Sequence, residues 1–174
     1  KTAGLPLGLM AIKPHLGVAL GLLALLQRRW SVLAIAVAVV AAACMVATLV
    51  LGVRVWPAFF AGVAAAGGYL REGLFPLYRM SSVYAAVRSF GATPDTAMAV
   101  HVIGALIALG LVFLAWRKGL RRNRLLALTC FATLFVSPYN YDYDLVCLAA
   151  AVALILPEFL ARARTGEIIG FYAL

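Results

Sequence analysis

Ser31–Leu51 runs for twenty-one residues without a charge, and that stretch restricts what the chain can become more than any other feature. As a helix it measures about 30 Å, the thickness of the hydrocarbon core of a bilayer. Inside lipid a segment must satisfy its own backbone hydrogen bonds, so helix is the form it takes. The rest of the chain agrees with this reading. It is 66% hydrophobic and only 12% charged, which excludes an ordinary soluble domain. The net charge of +9 raises nucleic acid as a partner, but the basic residues stand in short clusters between apolar runs. That is the pattern of the positive-inside rule, and no nucleic-acid binding is expected. Cys44, Cys130 and Cys147 each lie within an apolar run, with neither metal spacing nor a disulfide framework.

The fold expected is all-α, a polytopic transmembrane helical bundle forming a single domain over residues 1–174. Ala3–Leu26 is apolar except for Lys13, Pro14 and His15, which predicts a helix kinked at the Lys-Pro pair. Gln27-Arg28-Arg29-Trp30 then anchors the chain at an interface. Residues 52–95 are too polar to span twice. Val55–Gly68 has the character of a segment dipping into the interface, and Met80–Phe90 of a short helix capped by Ser81 or Ser82 and stopped by Gly91. Thr93-Pro94-Asp95-Thr96 opens a further span, which reaches Trp116. Finally Leu125–Val136 and Leu145–Pro157 are two apolar runs interrupted by Ser-Pro-Tyr-Asn-Tyr-Asp-Tyr-Asp.

Alternating the spans puts Arg28–Arg29, Arg117–Arg124 and Arg162–Arg164 on one side, with nine of the fifteen lysines and arginines. This side is expected to be cytoplasmic, and residues 52–95 and 138–144 extracytoplasmic, in a multi-pass plasma-membrane protein. Helical rise then sets heights above the basic boundary: roughly 20 Å for Lys13, roughly 24 Å for His101 and roughly 20 Å for the Tyr/Asp cluster. Ionisable groups at one depth are what a water-accessible cleft in the outer leaflet requires. Lys13 beside Pro14 either snorkels outward or offers its amine to a phosphate. His15 and His101 are read either as cleft lining or as packing residues. Arg79 and Arg88 lie outside, either on a solvated face or against an anionic lipid headgroup. Asp142-Tyr143-Asp144 has the spelling of a metal motif, but carboxylates two apart share a face only in extended chain, and no nucleotide-binding domain surrounds them. No metal and no cofactor is expected there.

Three blocks carry a resemblance. Ala11-Ile12-Lys13-Pro14-His15-Leu16, Met80-Ser81-Ser82-Val83-Tyr84-Ala85-Ala86-Val87-Arg88 with Gly91, and Ser137-Pro138-Tyr139 followed by Tyr143-Asp144-Leu145 occur in that order. Together they resemble segments of glycosyltransferase family 87, toward its C-terminal part. The resemblance implies a GT-C-fold membrane hexosyltransferase, typically a mannosyltransferase. Such an enzyme takes its sugar from a polyprenyl-phosphate donor on the extracytoplasmic side and passes it, with inversion, to a lipid or glycan acceptor. It implies donor-phosphate contact by Lys13, a cleft lined by His15 and His101, and a sugar or acceptor site shaped by Tyr141, Asp142 and Asp144. The catalytic base in such enzymes stands in the first extracytoplasmic loop. No residue here matches it, so the catalytic residue is left unknown and this chain is expected to be a later part of a longer enzyme. Tyrosine and aspartate also replace the histidines that some mannosyltransferase members carry in the late Ser-Pro block. The rival reading is a transporter or flippase for a lipid-linked or anionic substrate. It calls for internal repeats or a matching inner-leaflet polar cluster, and the sequence shows neither. A non-catalytic membrane scaffold would leave the shared polar depth unexplained.

Overall fold

The computed structural model describes residues 2–172, and its described regular structure is helical. Among the described residues nine α-helices follow in order: α1 (Gly4–Leu9), α2 (Pro14–Leu26), α3 (Trp30–Leu51), α4 (Val55–Glu72), α5 (Val83–Ser89), α6 (Pro94–Arg117), α7 (Arg122–Thr133), α8 (Val146–Arg162) and α9 (Thr165–Tyr172). Among the described residues, three helical segments are long and apolar enough to cross a membrane: Trp30–Leu51, Pro94–Arg117 and Asp142–Arg162. Their flanks expose large aliphatic residues such as Leu49, Val50, Leu106 and Val146, as lipid-facing surfaces do. The polytopic helical bundle read from the sequence is the fold observed.

The Lys-Pro break is sharper than a kink. Lys13 sits at φ −133°, ψ 78°, outside the helical region, because proline's ring pushes the residue before it into extended backbone. The preceding turn, Met10–Ile12, has already tightened into a 3₁₀ helix. The chain therefore reverses: Gly17 of α2 lies against Met10, where a Cβ on the glycine would stand 3.4 Å from the methionine Cβ. α1 and α2 form an antiparallel hairpin with Lys13 at its corner, and both ends of the hairpin lie at the basic end of the bundle.

Glycine spacing seats this hairpin. A Cβ on Gly4 would meet Ile35 Cβ and the Val32 carbonyl at 2.6 Å, and one on Gly8 would meet Val39 Cβ at 2.6 Å and the Ala36 carbonyl at 2.8 Å. α1 thus runs parallel to α3 at backbone contact, through a Gly-x-x-x-Gly face. In lipid, where apolar surface alone gives little reason to associate, such close approach supplies the packing. Gly8→Leu is expected to unseat α1 and destabilise the protein by about 1–3 kcal/mol, because a backbone carbonyl cannot yield. Gly21→Leu, where the added Cβ meets nothing within 4 Å, is expected to be neutral. Thermal unfolding of the two variants in detergent compares them directly.

Small residues also let α2, α6 and α7 meet at the centre, where Ala19, Ala108, Val112 and Ala132 are buried together. A second core lies toward the opposite end, around Leu70, Met80, Tyr84, Ala85 and Ala97, with the Tyr84 hydroxyl donating to the Leu70 carbonyl at 3.0 Å. The caps form where turn chemistry puts them. Ser82, rather than Ser81, accepts the Ala85 N–H, and Thr93 accepts the Thr96 N–H ahead of Pro94. Gly91 takes φ 86° after α5. α4 is longer than the expected Val55–Gly68 dip, extends to Glu72 and buries only Leu70. The hairpin of α7 and α8 is closed at the basic end by Glu158, which pairs with Arg124, Arg162 at 3.2 Å and Arg121 at 3.8 Å.

Candidate functional site

The equal heights counted along separate helices become a contact. Lys13 Nζ, at the corner of the first hairpin, donates to Asp144 Oδ1 at 2.5 Å across 131 residues of sequence. The Asp144 side chain is 3% exposed and that of Lys13 36%, so the carboxylate is fixed inside while the amine reaches outward. The other Asp144 oxygen accepts the Tyr141 N–H at 3.1 Å, which holds the carboxylate from its own turn. The ammonium also stands 3.8 Å from the Tyr143 ring centroid, within cation–π range. Tyr143 in turn stacks on Tyr141, the rings 5.4 Å apart and 13° from parallel.

Local backbone explains why Asp142 and Asp144 part company. Tyr141 is extended, and Asp142–Leu145 then coils into a 3₁₀ turn, so the two carboxylates do not line up as they would on a strand. Asp142 turns to the surface and takes the Arg79 guanidinium in a forked contact, at 3.0–3.3 Å. Those hydrogen bonds raise the Arg79 pKa above arginine's ordinary value, keeping it cationic. Each acid of the Asp-x-Asp sequence is therefore committed to a cation from a different segment. Among the described residues no three histidine, cysteine or acidic side chains gather in a metal-holding group.

A polar seam locks this turn to the segment before α5. The Ser82 hydroxyl donates to the Pro138 carbonyl at 2.7 Å, the Ser81 N–H to the Asn140 carbonyl at 2.8 Å, and Met80 bridges Tyr141. Asn140 is wholly buried and donates to the Leu134 carbonyl, while its own side-chain oxygen finds no partner. Sequence reasoning identified the serines as caps only and passed over Asn140 and the Arg79–Asp142 pair. The nearest signal was the crowding of serine, proline, asparagine and tyrosine in a stretch that has to turn within an apolar hairpin.

The remaining candidates surround this centre unequally. His15, the second residue of α2, lies within the electrostatic reach of Asp144 and Lys13, and its buried Nε2 has no partner. His101 is 2% exposed on α6, and its approach to the Val136 carbonyl falls short of full hydrogen-bond geometry for either ring nitrogen. Arg88 is half-buried and donates to the Ala92 carbonyl at 2.7 Å, closing the end of its own helix. Lys13, Tyr141, Tyr143 and Asp144 thus form the centre, with His15 beside it and Arg79–Asp142 on its exposed rim, while His101 is buried in the packed bundle. What they can do chemically is present a hydrogen-bonded, oriented cation and an exposed aromatic face.

The sequence profile of glycosyltransferase family 87 matches residues 1–138. The chain belongs to glycosyltransferase family 87. The family match includes Lys13, His15, Arg79, Arg88 and His101 and ends at Pro138, so Tyr141–Asp144 lie just beyond it. No curated protein and no solved structure matches the chain. Family membership makes this a glycosyltransferase, and the apolar helices make it a membrane protein.

Proposed function

We propose that this family 87 protein is an inverting, GT-C-type hexosyltransferase of the plasma membrane. It moves mannose from a polyprenyl-phosphate carrier to a lipid or glycan acceptor on the extracytoplasmic side. The observation that carries this reading is the seating of Lys13 on buried Asp144. Glycosyl transfer from such a donor releases a phosphate, whose growing charge an oriented cation stabilises. An ammonium has three donors. Asp144 takes one, and the partly exposed amine keeps others for phosphate oxygens. Tyr143, 57% exposed, offers a face for the sugar, and Arg79 stands at the rim toward the headgroup region.

The lipid-linked donor is supported by position. The centre lies roughly 20 Å along helices whose flanks face lipid, so a sugar on a polyprenyl chain approaches it sideways from the bilayer. Sidedness is supported by the arginines crowded at the other end. Neither Asp142 nor Asp144 is proposed as the base that deprotonates the acceptor, because each is held by a cation. Neither metal nor cofactor enters the proposal.

The test is incubation of labelled polyprenyl-phosphate-mannose with membranes containing the full-length protein. Label is expected in a new glycan or glycolipid, with none transferred from nucleotide-mannose when lipid-linked intermediates are absent. Transfer from the nucleotide sugar alone sinks the proposed donor. Movement of intact carrier across the bilayer with no new glycosidic bond indicates a flippase instead. Parallel donors carrying glucose or galactose decide the hexose.

A further inference from the structure

From the basic end, α1, α2, α3 and α7 line an apolar chamber of about 350 Å³ that runs up the first hairpin as far as Met10. Leu7, Met10, Leu20, Leu23 and Leu126 supply its walls. This falls within the size range of ligand pockets. The chamber meets a shallower groove of about 760 Å³, and Gln27, Arg29 and Arg122 line both. The groove adds Arg28 and Trp116, so an apolar interior opens onto a cationic rim with an interfacial aromatic beside it.

The arginines at this end fall into two sets. Arg121, Arg124 and Arg162 surround Glu158. Arg28, Arg29 and Arg122 have no carboxylate partner among the described residues, and Arg29 donates only to the Gln27 side chain, at 2.9 Å. Two helix N-termini add to the positive field there. α3 begins at Trp30 and α7 at Arg122, neither with a side-chain cap or an acid in its first turn. Arg28 is also the one non-glycine among the described residues with positive φ, at 53°. Three guanidinium groups without a carboxylate and two uncapped helix starts all lack the same thing, a negative charge.

We propose that the chamber and its rim hold an anionic phospholipid of the leaflet that the basic end faces, with acyl chain inside and phosphate on Arg28, Arg29 and Arg122. Charge complementarity selects an anionic headgroup, and the apolar chamber continuous with the rim selects a lipid over a free phosphate. The site has a mechanical consequence. α2 runs from Gln27 at the rim to Lys13 at the hairpin corner, so the bound lipid braces the hairpin that carries Lys13. This inference stands apart from the identity of the sugar donor.

The experiment uses purified full-length protein, delipidated in neutral detergent and titrated with phosphatidylglycerol or phosphatidylcholine of matched chains under native mass spectrometry. Phosphatidylglycerol is expected to bind about tenfold tighter or more, and Arg29→Gln and Arg122→Gln each to weaken it about fivefold. Arg121→Gln, which removes the same charge from the Glu158 set, is expected to leave binding unchanged. The same phosphatidylglycerol is expected to raise the melting temperature of the wild type but not of Arg29→Gln/Arg122→Gln, whose lipid-free melting shows that it has folded. Equal binding of both lipids overturns the proposal, as does an equal loss in Arg121→Gln. So does displacement by millimolar inorganic phosphate, or a chamber that takes no lipid because other residues of the full-length chain fill it.

Discussion

Lys13→Ala in the full-length enzyme is expected to lower sugar turnover by about 10²–10³-fold, the loss seen when one oriented donor to a developing anion is removed. The variant does a second thing that has to be separated from the first. Asp144 is 3% exposed and loses its counter-ion, and a buried charge left alone is costly. A fall in activity with Lys13→Ala alone would therefore mix lost chemistry with lost stability. Lys13→Ala/Asp144→Ala removes both charges and is expected to recover the part of the melting temperature lost to the unpaired carboxylate, while turnover stays low. Turnover that returns in the double variant would reduce Lys13 to the neutraliser of Asp144 and remove it from the phosphate site. Lys13→Arg is expected to give intermediate turnover, since a planar fork does not reproduce a compact ammonium at a hairpin corner.

How far the sequence foretold this arrangement depends on how local each determinant is. The spans were legible because lipid leaves a backbone no alternative to internal hydrogen bonding, so apolar length alone identifies α3 and α6. Caps were legible for the same reason of locality: Thr93 and Ser82 act on donors three residues away. The common depth of Lys13 and Asp144 came from counting 1.5 Å steps from a basic boundary, which works because helix rise is fixed. Their contact did not follow from the count. It depends on α2 and α7 packing face to face through Ala19 and Ala132, a tertiary fact that no local rule contains.

The Lys-Pro reversal was underestimated because proline restricts the residue before it without saying how far the chain then turns. The turn is settled by what receives α1, and that is the Gly4/Gly8 face against α3, which reads in sequence as two unremarked glycines four apart. The Asp-x-Asp stretch was ambiguous for a related reason. Whether two acids share a face is a property of backbone conformation, and the switch at Tyr141 from extended chain to 3₁₀ turn was not written in residue types. Serine, proline and asparagine announced a turn there but left its handedness and its partners to Ser81, Ser82 and Arg79, some sixty residues away in sequence.

That turn makes the two aspartates unequal, and the inequality is measurable. Asp144→Ala removes the buried anchor of the Lys13 corner together with the acceptor of the Tyr141 N–H. It is expected to destabilise the protein by about 1–3 kcal/mol, below the cost of an ion left fully buried because Lys13 can regain water. Turnover is expected to fall with it, since the amine loses its orientation. Asp144→Asn keeps an acceptor for Tyr141 and is expected to lie between the two. Asp142→Ala removes an exposed pair, of 49% and 53% side-chain exposure, and an exposed acceptor for the Tyr143 N–H, and is expected to change the melting temperature little. Cys44, Cys130 and Cys147 are free and half-buried, so a thiol-reactive fluorophore can follow unfolding of each variant in detergent. A metal clamp across the Asp-x-Asp pair predicts the opposite pattern: equal loss of activity in both variants and inhibition by chelators. With Asp144 on Lys13 and Asp142 on Arg79, a cation would first have to displace two ion pairs, and turnover is expected to survive chelation.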